Sequence, residues 1–107
     1  MKMSEKVVVV FRSRLRANAD LSALEIAATR MYELASAMPG FISYKDFTAS
    51  DGESVSIVEF ADAASLLAWR NHPEHQRMQQ RGREEFMSEY HIQVCRPERE
   101  YAFSESD

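Results

Sequence analysis

Apolar residues follow three different rhythms along this chain. From Lys6 to Leu15, four consecutive valines and Phe11 form a run without helical punctuation, which predicts a β-strand. The run does not alternate with polar residues, so both faces of the strand call for cover. Leu21, Leu24, Ala28, Met31, Ala35 and Met38 then recur at spacings of three and four, one apolar stripe on an amphipathic helix of about five turns. Asp20 and Ser22 are candidate N-caps, with Glu25 three residues after Ser22 as in a capping box. Met38-Pro39-Gly40 ends the helix, because proline cannot continue the ladder and glycine supplies the reversal.

Phe41–Thr48 and Ser54–Ala61 predict two strands around Asp51-Gly52, a short-range hairpin signal. Unbroken alternation in the first places Phe41, Ser43, Lys45 and Phe47 on one face and Ile42, Tyr44 and Asp46 on the other. Asp62 is placed to cap a short helix carrying Leu66, Leu67 and Trp69. Asn71, with Pro73 in the first turn and Glu74 three residues on, marks a fresh helix that runs to about Met87. At roughly 100° per residue, His75, Met78, Gln79, Gly82 and Phe86 share one side of it. Arg77, Gln80, Arg81, Glu84 and Glu85 take the other. Glu89–Arg96 alternates as a fourth strand, Pro97 interrupts it, and Tyr101-Ala102-Phe103 is a short apolar tag.

The order β-α-β-β-α-β predicts an α+β, ferredoxin-like protomer: a four-stranded antiparallel sheet with its helices on one face. Residues 1–107 read as one domain, with a core over about 5–96 and a C-terminal extension over 97–107. The other sheet face is left bare, yet Val7–Phe11 sends apolar side chains to both. A second copy packed sheet to sheet is the economical solution, so a homodimer is expected.

Composition narrows the possible functions. With 45% hydrophobic and 28% charged residues, the chain is not of the disordered or low-complexity kind. A net charge of −4 argues against nucleic acid, whose binding depends on neutralising phosphates. The longest apolar run, Val7–Phe11, falls far short of the roughly 20 residues that span a bilayer, so no membrane is expected. The first residues, Met-Lys-Met-Ser-Glu-Lys, lack the apolar region of a secretory signal. One cysteine and no Cys/His cluster of zinc-site spacing point to a cytoplasmic protein without a bound metal.

The candidate chemistry gathers around the second helical region. His75 lies on the buried stripe and titrates near neutrality, so it can take a proton from a phenol or an activated C–H. The competing reading is a buried histidine hydrogen-bonded to the sheet or a partner. Trp69 suits stacking on a flat aromatic ligand, or core packing. His72, beside the helix break, is a candidate ligand contact or an exposed residue, and His91 has a cross-strand or interface role. Tyr44 can hydrogen-bond a phenolate if it faces the pocket; alternation puts it opposite Phe41, so only one of the two lines it. Arg83 can offset a developing enolate charge. Gly82 in mid-helix suggests a close approach or space for a ligand, and Cys95 reads as buried strand filler.

Met38-Pro39-Gly40-Phe41 entering a strand, Phe60-Ala61-Asp62 before a short helix and Leu67-Ala-Trp69-Arg-Asn-His-Pro-Glu-His75 occur in that order. Gly82-Arg83 and the closing Ile92-Gln-Val94 follow. Together they resemble the antibiotic biosynthesis monooxygenase (ABM) family over about residues 5–103. The resemblance implies a dimeric α+β barrel with a pocket between helices and sheet in each protomer. The family's members include cofactor-free oxygenases, quinol monooxygenases, haem-degrading enzymes and isomerases, so the reaction must be argued from the site.

The haem-degrading branch carries a helical histidine ten residues after the tryptophan, where this chain has Gln79, and a first-strand asparagine where it has Ser13. Haem is therefore not expected. The cofactor-free oxygenases match at Trp69, differ at Ser65 (asparagine in that branch), and carry a tyrosine where this chain has His75. The resulting expectation is a homodimer that oxidises a hydroxy-aromatic of quinol or anthrone type with O2, without metal, flavin or haem. His75 would be the base, with Trp69, His72, Tyr44 and Arg83 around the substrate. An isomerase of a small metabolite, or a non-catalytic dimer that binds an aromatic or haem, are the alternatives.

Overall fold

The structure is a computed structural model and describes residues 5–105. The stretch before Glu5 and the last two residues of the acidic tail lie outside the described residues. The elements run β1 (Val7–Leu15), α1 (Leu21–Ser36), β2 (Phe41–Thr48), β3 (Ser54–Phe60), α2 (Ala63–Arg70), α3 (Pro73–Arg81), a π-helical turn (Gly82–Phe86) and β4 (Met87–Cys95). Sheet order is β2-β3-β1-β4 with every neighbour antiparallel, the ferredoxin-like arrangement. The valine-rich β1 is central, paired with β3 from Val7 to Ser13 and with β4 from Val8 to Leu15. Among the described residues no helix is long and apolar enough to cross a membrane.

Helix α1 starts at Asp20, whose carboxylate accepts from the Ala23 N–H at 3.0 Å, so Asp20 rather than Ser22 is the cap. Its buried side is Ala27, Met31 and Ala35. Leu21 and Ala28, which the spacing put on the stripe, are exposed, because the helix meets the sheet about one position round from the face inferred. Gly40 closes the turn into β2 with φ +83°, a backbone that favours glycine. The core joins Val7, Val58 and Phe60 of the sheet to Met31, Ala35, Leu66 and Trp69 of the helices, with Phe41 and Tyr44 packed against it.

One irregularity changes the reading of β2. Phe41 pairs with Phe60, but Ser43, not Ile42, pairs with Glu59. The extra residue is a β-bulge, and it inverts the alternation across it. Phe41 and Tyr44 therefore face the helices together, both meeting the Tyr32 ring edge-on, at 6.3 and 5.8 Å. The expectation that they point to opposite faces is thus corrected.

The opposite sheet face carries Val8, Val10, Val55 and Ile57, all only partly buried and none in the core. It is edged by ion pairs: Arg12 holds Glu53 through two bonds of 3.0 Å, and Arg14 holds Asp51 at 2.8 Å. Cys95 on β4 is exposed, which corrects the expectation of buried filler. Tyr101 and Phe103 are 85% and 92% exposed and belong to no strand.

Candidate functional site

The site is built by the break between α2 and α3. The Asp62 carboxylate accepts from the Ser65 N–H at 2.8 Å and starts α2. Asn71 ends that helix, and His72 caps the next, its Nδ1 accepting from the Glu74 N–H at 3.1 Å, with Pro73 in the first turn. On one continuous helix, residues six apart lie about 9 Å apart along the axis and on different faces. The break instead folds α3 back, and the rings of Trp69 and His75 stack with centroids 4.0 Å apart and planes 11° from parallel.

His75 is held by a second contact, Nδ1 to the Trp69 carbonyl oxygen at 3.1 Å. A carbonyl only accepts, so Nδ1 carries the proton and Nε2 keeps the free lone pair of the neutral ring. Burial lowers the pKa of His75 below its ordinary value, only partly opposed by the bond to Trp69, and the nearby charges of His72 and Arg70 act in the same direction as burial. At neutral pH this histidine is an unprotonated imidazole of fixed tautomer.

His75 and Trp69 lie on the wall of a cavity of about 720 Å³ between the sheet and the helices. The core fills the end of the sheet where Val7 pairs with Phe60, and the cavity extends toward the other end, past Val9, Phe11, Ser13 and Leu15. Tyr44, Met78, Gln79, Gly82, Arg83, Tyr90 and Ile92 also line it. Tyr44 is partly buried, and desolvation first, then the Asp46 charge, push its pKa up, so it is a neutral phenol. It hydrogen-bonds Ser56, whose Oγ donates to Asp46 Oδ1 at 2.5 Å. Arg83 is exposed at the rim and donates to Tyr90 Oη at 3.3 Å, while Tyr90 stacks on Phe11 at 5.6 Å.

Of the residues inferred from the sequence, Trp69, His75, Tyr44 and Arg83 share this wall. His72 is not among its residues, being engaged as the cap of α3. His91 pairs with Arg12 across the strands and is exposed. Gly82 makes room for Met87: a Cβ there would lie 2.4 Å from its Cε. Ser65 faces the Gly40 turn, where a Cβ on Gly40 would lie 2.1 Å from its Oγ. The sequence reading missed Arg70, Ser56 and the inward side of Asp46. A carboxylate amid a strand, sharing a face with a tyrosine, was the one signal for the last. Among the described residues, no three His, Cys, Asp or Glu side chains are grouped to hold a metal ion.

A ferredoxin-like domain with a histidine–tryptophan pair in a cavity under its helices is the class that this fold and site define. The chain belongs to the antibiotic biosynthesis monooxygenase family, whose profile matches residues 6–81. It is 29% identical over 79 residues to the uncharacterised protein YqjZ of Bacillus subtilis (strain 168), a match covering 74% of this chain and 69% of that protein. Its fold is that of Rv0793 from Mycobacterium tuberculosis (TM-score 0.79, 24% identity, 91% of this chain and 99% of that one). It is also that of SnoaB, a cofactor-independent oxygenase from Streptomyces nogalater (TM-score 0.77, 14% identity, 90% and 96% covered).

Proposed function

We propose that this protein is a cofactor-independent monooxygenase that oxidises an electron-rich hydroxy-aromatic, of quinol or anthrone type, with O2. The observation that carries the reading is the bond from His75 Nδ1 to the Trp69 carbonyl, which leaves Nε2 of a neutral, partly buried imidazole as the base. Membership of the family and the likeness in fold to a cofactor-independent oxygenase support it.

In this reading Nε2 removes a proton from the substrate, and the resulting anion gives one electron to O2. The two radicals combine into a peroxide anion, which takes back the proton held on Nε2 and loses water to leave a carbonyl. The substrate supplies the electrons, so the protein contributes a base, a largely apolar cavity and stabilisation of the anion. The open face of Val8, Val10, Val55 and Ile57 supports a sheet-to-sheet homodimer.

The test is oxygen uptake by metal-free, flavin-free protein with a panel of quinols, naphthols and anthrones, beside His75→Ala. Uptake above autoxidation that falls at least a hundredfold in the variant, as for loss of a general base, is expected. Full turnover by His75→Ala would remove this histidine as the base. Product of unchanged mass would replace oxygenation with isomerisation.

A further inference from the structure

Two arginines line the cavity, and they differ in what they hold. Arg83 donates to Tyr90 Oη. Arg70 has no hydrogen-bond or ion-pair partner among the described residues. Elsewhere Arg12, Arg14, Arg30 and Arg81 are each bonded to a carboxylate. Arg77 and Arg96 are exposed and, like Arg70, have no hydrogen-bond or ion-pair partner among the described residues, but they do not line the cavity. The cavity's own carboxylate, Asp46, lies on β2 and accepts from Ser56. A guanidinium keeps its charge and presents five N–H donors in a planar fork that matches an oxyanion. Arg70 is exposed and lines the cavity together with Trp69, Leu66 and Met78, so its solvated fork is open to an anionic ligand there.

Backbone geometry ties Arg70 to the base. The carbonyl that receives the His75 Nδ1 proton belongs to the peptide unit joining Trp69 to Arg70. Trp69 supplies the flat surface, His75 the proton acceptor and Arg70 a positive charge, from residues set by one helix end and one helix start. The charge of Arg70 already acts on His75, favouring its neutral form.

We infer that Arg70 is an anion-binding residue of this cavity, and that the ligand it takes is an aromatic carrying an oxyanion, a phenolate or a carboxylate, beside His75. For the phenolate, the inference rests on His75 as the base: Nε2 accepts the phenol proton, and the O–H electron pair stays on the oxygen that Arg70 then holds. For a carboxylate it stands without that step.

Three probes separate the cases: 4-nitrophenol, whose ionisation is read from its visible band, 4-nitrobenzoate, and neutral 4-nitrobenzamide. Binding is followed by quenching of Trp69, the one tryptophan of the chain. The wild type is expected to favour ionised 4-nitrophenol over its neutral form, or benzoate over benzamide, by about fivefold, the scale of a solvent-exposed ion pair. Arg70→Gln should abolish the preference and Arg70→Lys restore part of it, which a merely structural role would not produce. A preference for the phenolate alone assigns Arg70 to the reacting oxygen, and one for the carboxylate alone assigns it to a ring substituent. No preference, or one unchanged in Arg70→Gln, overturns the inference. His75→Ala keeps the benzoate preference while losing oxygen uptake. Selectivity without uptake therefore upholds Arg70 and sinks the oxygenase, and uptake without Arg70-dependent selectivity does the reverse.

Discussion

The ring of His75 lies flat on that of Trp69, 4.0 Å between centroids, while its Nδ1 bonds the carbonyl of that same tryptophan at 3.1 Å. Two contacts from one residue fix plane and tautomer together. Rotating the ring to exchange its nitrogens would exchange a donor for a lone pair at the carbonyl, so Nε2 is the basic atom.

The lowered pKa of His75 has a defined pH signature. Burial favours the neutral ring, so the folded value lies below the ordinary 6.5 and the unfolded chain binds the proton first on acidification. Stability through this residue is full at higher pH, falls as pH drops below about 6.5, and levels off beneath the folded value. Thermal melts of wild type and His75→Gln between about pH 7.5 and pH 5 should converge as this increment is lost. The acid limb of turnover should likewise lie below that of a free imidazole, and a limb above it would contradict a partly desolvated base.

Trp69 is 5% exposed and belongs both to the core and to the cavity wall. Trp69→Ala should destabilise the protein by roughly 3–5 kcal/mol, the range for emptying a large aromatic site. Trp69→Phe should cost less and keep a partner for the His75 ring. Histidine titration by NMR should show the His75 pKa rising toward its ordinary value in Trp69→Ala, as water reaches the imidazole. An unmoved value would mean that burial by the tryptophan is not its cause.

Two glycines carry opposite expectations. Gly40 combines φ +83° with a side-chain wall at Ser65, so Gly40→Ala meets both backbone strain and overlap. A loss of more than about 2 kcal/mol is expected. Ser65→Gly should recover part of it in a double-mutant cycle, because the overlap involves both residues. At Gly82 the backbone is helical and the obstacle is the mobile end of Met87. Gly82→Ala should shift stability by less than about 1 kcal/mol, and its effect should appear as reduced cavity space. Urea melts of Gly40→Ala, Ser65→Gly, their double mutant and Gly82→Ala check the contrast.

The bare sheet face yields a mass measurement. Light scattering should report twice the chain mass at micromolar protein. Val10→Asp or Ile57→Asp should halve it while leaving Trp69 fluorescence unchanged, since both residues face away from the cavity. A wild-type monomer would remove the homodimer and leave the partly buried valines of β1 as an ordinary solvated face.

Much of the fold is legible in the chain because its signals are local. Val7–Phe11, the Asp20 cap, Pro39-Gly40, Asp51-Gly52 and the cap-like run at Asn71–Pro73 each act on neighbours within a few bonds, and each boundary fell within a few residues. The buried side of the last helix was legible too, since His75, Met78, Gln79, Gly82 and Phe86 all line the cavity. The errors arise where spacing is interrupted. A single extra residue at Ile42 brings Phe41 and Tyr44 to one face, and alternation cannot announce a bulge. The π turn over Gly82–Phe86 starts β4 at Met87 rather than Glu89.

The sequence by itself determined the order of elements, the sheet that follows from it, and which helix carries the histidine, because propensity, capping and periodicity are properties of short segments. Only the tertiary structure decided that His75 meets Trp69, that His72 is a cap, that Cys95 is exposed and that Arg70, exposed on the cavity wall, has no side-chain partner among the described residues. Those outcomes depend on how a helix break turns one segment onto another and on which partners arrive from distant strands. Such contacts are chosen by packing across the whole domain, and no short stretch of the chain encodes them.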